Sequence, residues 1–214
     1  MDIFRLILNI LFPQTAKAAE LEAMSAATFR EAVPALSFQP QKWILALFPY
    51  ENPLVKTAVW EVKYRGNKTI ARLAGTLIAD ELTEWLAELA ETENFREPLL
   101  IPIPLAPKRA RERGFNQCEL LAREIIRIIP EMIELTTDIL IKTKETESQT
   151  KSKNRAERIK NLEGCFDVKN PEQIKNRNIV LLDDVTTTGA TLTEARRALL
   201  ARGARKVIAI VFAH

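Results

Sequence analysis

The sequence predicts an α/β fold, a doubly wound parallel sheet with a helical N-terminal appendage. Three observations predict it. Short apolar runs at residues 99–103, 178–182 and 206–212 read as buried strands and alternate with amphipathic helical patterns. The last of those helices, residues 191–202, opens on a capping box, Thr191 with Glu194, and ends at Gly203. The 214 residues, 47% hydrophobic and 28% charged, suit one domain plus a small appendage and bury a sizeable core.

Residues 1–45 hold short apolar stretches broken by Pro13, Pro34 and Pro40, and form the appendage. Residues 46–214 form the main domain. The first twelve residues are apolar apart from Asp2, Arg5 and Asn9, and Ala16-Lys17-Ala18 imitates a signal-peptidase site. The run falls short of the roughly 20 apolar residues of a membrane span. The expectation is therefore a short docked helix, no membrane span and a cytoplasmic location, with secretion the minority reading. Residues 46–50 read as a strand, and residues 52–64 as a helix stopped by Arg65-Gly66-Asn67.

The clearest helix carries Ile70, Leu73, Ala74, Leu77, Ile78, Leu82, Trp85, Leu86 and Leu89 on one stripe. Glu81, Glu84, Glu88 and Glu91 lie off that stripe, as a solvated face does and a catalytic pair does not. Beyond strand 99–103 come a basic loop at residues 104–116 and a helix with Leu121, Ile125 and Ile128 on one face. Residues 133–141 are a β-branched strand candidate. Residues 142–161 are long, polar and without apolar period, which marks a functional or disordered loop.

Composition excludes several chemistries. A net charge of +3 is too small to indicate a nucleic-acid binder. Cys118 and Cys165 show no CxxC spacing, which argues against a disulfide framework or a structural zinc; both read as small buried hydrophobes. His214 is the one histidine, so sites that need several are close to excluded.

Residues 179–191, IVLLDDVTTTGAT, carry the chemistry. An apolar strand ends in Asp183-Asp184, a small hydroxyl-rich turn follows, and a helix begins. Backbone N–H groups of such a turn and helix start converge on one point and attract a phosphate. Gly189 lets the backbone approach closely. Two carboxylates beside the phosphate suit sugar hydroxyls, so the segment describes a ribose 5-phosphate site. A receiver domain needs about a hundred residues after such a pair, and a P-loop needs Gly-Lys-Ser/Thr; neither is present. A plain strand–turn–helix would not call for two aspartates and three successive threonines.

These residues resemble the 5-phosphoribosyl pyrophosphate (PRPP) signature of type I phosphoribosyltransferases. Four further stretches make the chain similar to the ComF family over about residues 48–212: KYRG at 63–66, PIPLAPKRARERGFNQ at 102–117, QTKSKNRAERIKNLEGCF at 149–166 and GARKV at 203–207. The resemblance implies the type I phosphoribosyltransferase fold. It implies that Asp183 and Asp184 hold the ribose hydroxyls and that Thr186, Thr187, Thr188, Gly189, Ala190 and Thr191 hold the 5-phosphate. Lys108, Arg109 and Arg113 would meet pyrophosphate. Residues 149–161 would be a lid with Arg155 pointing inward. Mg²⁺ would bridge pyrophosphate and sugar oxygens, with no protein ligand assigned. The family usually carries cysteine pairs near its N-terminus, but residues 14–40 here have none, so no zinc is expected.

The basic residues at 108–113 and 151–160 read first as neutralising pyrophosphate, second as solvated charge and third as a single-strand groove. The third wants interleaved aromatics, and only Phe115 lies near. The expected function is transfer of phosphoribose to an unidentified acceptor, by positioning and electrostatics, with no obvious general base. The rival is a non-catalytic PRPP- or nucleotide-binding module acting in DNA uptake (competence) or another DNA-linked process through a partner protein, such as a competence or DNA-processing protein; direct nucleic-acid binding is not expected. An amidophosphoribosyltransferase-like enzyme ranks third, for want of a glutaminase domain. A homodimer is compatible with the sequence, which leaves oligomeric state open.

Overall fold

A computed structural model describes residues 16–144 and 163–214. The docked helix expected in the first twelve residues, and the lid at 149–161 with Arg155, lie outside the described residues.

The chain opens with α1 (Ala16–Ala23) and α2 (Ala26–Ala32), the second capped by Ser25, whose hydroxyl accepts from Thr28 N–H at 3.1 Å. Strand β1 (Ile44–Phe48) begins two residues before the strand read from sequence. Helix α3 (Pro53–Trp60) is capped by Asn52 with proline in its first turn, and a π-helical turn (Glu61–Arg65) ends at Gly66, which is left-handed at φ 62°. The expected single helix over 52–64 is thus two segments, stopped where the Arg-Gly-Asn turn was read. Helix α4 (Lys68–Thr92) follows, capped by Asn67.

Then come β2 (Leu99–Pro102), α5 (Pro107–Arg113), α6 (Gln117–Ile128), β3 (Glu134–Leu135), β4 (Leu140–Lys142), β5 (Phe166–Val168), β6 (Asn178–Val185), α7 (Ala190–Ala201) and β7 (Lys206–Ala213). The strand expected over 133–141 is divided. Its first part pairs with β2 and its last part forms an antiparallel hairpin with β5. The polar run Thr136-Thr137-Asp138 separates them: Thr136 N–H still donates to Leu100 O at 3.0 Å, and the chain then leaves the sheet.

The main sheet has the order β1-β7-β6-β2-β3, and every pairing in it is parallel. Its central strands are apolar on both faces, as a sheet covered twice requires. Val180, Leu182, Ile208, Ile210 and Phe212 pack with residues of α1 to α4 and α6. Ile179, Leu181, Val207, Ala209 and Val211 pack with α7 and the β4–β5 hairpin. Each fully buried Leu or Ile contributes about 1.5–3 kcal/mol, against about 0–1 for an exposed ion pair, so the apolar faces set the position of the sheet. Leu21 of α1 and Phe29 of α2 belong to the first of these cores; the Phe29 ring meets Phe48 edge-on at 5.1 Å. Among the described residues, no helix is long and apolar enough to cross a membrane.

Because β2 and β6 are parallel neighbours, with Leu99 opposite Ile179 and Pro102 opposite Leu182, their carboxyl ends open on the same edge. The loop after β2 and the loop after β6 therefore meet there, where open parallel sheets bind ligands.

Candidate functional site

The two aspartates lie inside β6, which runs on to Val185 before the turn begins. They are buried, 9% and 5% exposed. Asp183 Oδ1 accepts from Asp184 N–H at 3.0 Å and from the Cys118 thiol at 3.3 Å. Asp184 Oδ1 accepts from Gln117 Nε2 at 3.4 Å. Asp184 Oδ2 is buried and has no hydrogen-bond partner among the described residues. Burial, and then the adjacent Asp184, pushes the Asp183 carboxyl well above the usual carboxylate range. Burial, and then the two aspartates, likewise pushes the Cys118 thiol up.

The stretch Arg113–Gln117 builds the opposite wall. Gly114 takes a left-handed turn at φ 77° and ends α5. Asn116 then caps α6 by accepting from Cys118 N–H at 3.0 Å, and its Nδ2 donates to Ile103 O at 3.0 Å. One side chain thus starts the helix and ties it to the end of β2. That cap places Gln117 and Cys118 over the aspartates. Arg113 donates to Gln117 Oε1, so Gln117 joins the guanidinium to Asp184. Arg113 also lies over the Tyr64 ring, 5.4 Å from its centre. Burial lowers the Arg113 pKa, and Asp184 acts in the opposite direction. KYRG, RGFNQ and the aspartate pair are therefore one structure.

Of the three pyrophosphate candidates, Arg113 is coupled to an aspartate in this way. Arg109 is near enough to Arg113 to oppose its charge. Lys108 is 69% exposed and faces Glu112 at 4.0 Å.

The turn after β6 is tied down at its start. Thr186 N–H donates to Ala213 O at 3.0 Å, and Thr186 O lies 3.2 Å from a ring nitrogen of His214. Thr186 is buried, while Thr187 is exposed. Thr188 Oγ1 accepts from Ala190 N–H at 3.4 Å. Gly189, at φ 73°, is the N-cap of α7, which begins at Ala190. The capping box expected from Thr191 and Glu194 does not form: Thr191 is already inside the helix, and Glu194 Oε1 accepts from Gly164 N–H at 2.7 Å. A half-buried N–H from a turn 30 residues away takes the carboxylate in place of the local one.

Sequence reasoning passed over Gln117 and Tyr64, though both stand in stretches it singled out. It read Cys118 as a buried hydrophobe; buried it is, with its thiol on Asp183. Cys118, Asp183 and Asp184 bring three ligand atoms within 4.8 Å of one another. The carboxylate oxygens suit a hard cation or its bound waters, whereas the thiol suits a soft one.

The family described as Phosphoribosyl transferase domain matches residues 73–214, more than half of the chain. Competence protein ComFC of Bacillus subtilis (strain 168) is 33% identical over 153 residues, which are 71% of this chain and 56% of that protein. DNA utilization protein YhgH of Escherichia coli O157:H7 is 29% identical over 171 residues, 79% of this chain and 71% of that protein. The chain thus spans little more than half the length of the first relative. A solved structure of a hypoxanthine phosphoribosyltransferase from Staphylococcus aureus is similar with a TM-score of 0.37 and 15% identity, over 63% of this chain and 61% of that one.

Proposed function

The chain belongs to the phosphoribosyl transferase domain family, in its ComF group, and from that premise we propose that it binds PRPP with Mg²⁺ and transfers phosphoribose to an acceptor of open identity. The observation that carries this reading is Asp184 Oδ2, a buried acceptor with no donor among the described residues. Such an atom is costly unless something supplies a hydrogen bond, and a ribose hydroxyl supplies one. Beside it, burial and the adjacent Asp184 raise the Asp183 pKa, so the pair does not carry two full charges at the ordinary carboxylate pH.

The 5-phosphate then falls to the turn from Thr187 to Ala190 and the start of α7. Pyrophosphate falls to Arg113, with Arg109 beside it. Mg²⁺, when bound, neutralises pyrophosphate and keeps several waters, which the carboxylates are suited to accept. In the transfer, the bond from C1 to the pyrophosphate oxygen breaks and pyrophosphate leaves with the electron pair. The acceptor nitrogen forms the new bond to C1 and loses its proton to water. The chain contributes position and charge.

Calorimetric titration with PRPP at saturating Mg²⁺ tests the reading. Asp183→Asn, Asp184→Asn and the double variant are expected to bind about ten- to a hundredfold more weakly. Glu88→Gln, on the exposed face of α4, is the control and binds as the parent does. Well-folded aspartate variants with parental affinity would show that the pair is structural. A second reading is favoured by the names of the relatives, a competence protein and a DNA utilization protein. In it the chain is a PRPP-binding module that acts in DNA uptake through a partner protein. Release of pyrophosphate on incubation with PRPP and a panel of nitrogen bases distinguishes transfer from binding alone.

A further inference from the structure

The turn in front of β1 reaches across to the start of α7. A Cβ built on Gly189 would lie 2.7 Å from Gln41 Nε2 and 3.7 Å from Gln41 Cδ. The amide of Gln41 therefore occupies the space that any other residue at 189 would fill with its own side chain. Its orientation is decided by Trp43. The indole Nε1–H is only a donor, and it lies 2.8 Å from Gln41 Oε1, so the oxygen faces the indole and the NH₂ faces Gly189.

Trp43 is itself held. The Arg196 guanidinium sits over its ring at 4.9 Å, and Arg196 Nε donates to Val207 O at 3.0 Å. The turn closes on itself through Ile44 N–H donating to Gln41 O at 3.0 Å. Every link in this series is supplied by β7, α7 or the turn. Gln41 is half-buried, and neither of its amide N–H groups donates to a partner among the described residues.

We propose that Gln41 is a binding residue for the phosphate end of the ligand: its amide N–H groups complete, from the N-terminal side of the chain, the cup formed by Thr187–Ala190. This inference rests on the PRPP reading and adds to it a residue outside the thirteen-residue signature. It also gives Gly189 a second reason beyond its positive φ, because a methyl group there would displace the donor. The selectivity that follows is for the dianionic phosphate over the bare sugar. Trp43 is a positioning residue, since it touches the amide and not the ligand.

The test uses the full chain with ribose 5-phosphate and, separately, Mg²⁺-pyrophosphate, by titration calorimetry, with a melting curve for each variant. Gln41→Leu keeps the volume and removes both donors. Gln41→Glu keeps the shape and the bond from Trp43, and sets a negative charge against the phosphate. Expected are a loss of about tenfold in ribose 5-phosphate affinity for Gln41→Leu and a larger, salt-sensitive loss for Gln41→Glu. Mg²⁺-pyrophosphate affinity is expected to stay within about twofold, because that ligand lies toward Arg113. Trp43→Phe is expected to weaken ribose 5-phosphate by less than Gln41→Leu does. If the parent binds ribose 5-phosphate and both Gln41 variants bind it equally well, the role of Gln41 is refuted while the PRPP reading stands. If the parent binds neither ribose 5-phosphate nor PRPP, both are refuted. Should Gln41→Leu fail to fold, the near-isosteric Gln41→Glu decides alone.

Discussion

The Cys118 thiol donates to Asp183 Oδ1 across 3.3 Å, with both side chains buried. Burial, and then the carboxylates beside it, oppose the thiolate, which is the reactive form. Cys118 is therefore expected to resist alkylation in the native protein. Iodoacetamide labelling at pH 7.5, read by mass spectrometry, should be slower by more than about tenfold than in urea. Native and unfolded chains labelling at the same rate would show that the thiol is open to solvent.

Asp183 makes stability depend on pH in an unusual direction for a carboxylate. Its folded pKa lies above the ordinary 3.8, so the folded state holds the proton more tightly than the unfolded state does. The contribution is fully present below the unfolded value and is lost as pH rises through the folded one. Asp183→Asn removes the titration but keeps an oxygen for Cys118 and for Asp184 N–H. The variant is expected to melt above the parent at pH 8, with the gap closing toward pH 4. A gap that widens toward acid would contradict the assignment.

Arg113 and Lys108 separate a site residue from a solvated one. Arg113 is held by Gln117 and the Tyr64 ring, whereas Lys108 faces Glu112 in solvent. Arg113→Ala is expected to weaken Mg²⁺-pyrophosphate binding by about tenfold or more, and Lys108→Ala by less than about twofold. Equal effects of the two would reduce Arg113 to one of several diffuse charges.

Glu194 anchors the chain on the far side of the polar segment to α7, through Gly164 N–H at 2.7 Å and the Arg197 guanidinium. Its carboxyl is held below its ordinary value, chiefly by Arg197, so this contribution is present above pH 4.5 and is lost as pH falls through the folded pKa. Glu194→Ala leaves a Gly164 N–H without its partner and is expected to cost about 1–3 kcal/mol in urea unfolding at pH 7. Arg197→Ala, more than half exposed, is expected to cost less. The reverse ranking would mean that Arg197, not Gly164, is what Glu194 holds.

The amino-acid sequence by itself determined the parallel α/β class, the stripe of α4, the strand that carries Asp183 and Asp184, and the turn at Gly189. Each of these is written in a run of neighbours, through apolar period, glycine and hydroxyl chemistry. The tertiary structure alone decided who meets whom. Gln117 reaches Asp184 across 67 residues of chain, and Glu194 prefers Gly164, 30 residues away, to the cap of its own helix. Tyr64 reaches Arg113 from a further stretch, and Gln41 reaches Gly189 from another. Such contacts depend on how helices and strands pack, and packing is set by the shape of two apolar cores rather than by any local pattern. The burial of the two aspartates is of the same kind. Their spacing announces a strand end, but only the packing of α6 over them shows that they are buried and that Asp184 Oδ2 has no partner among the described residues.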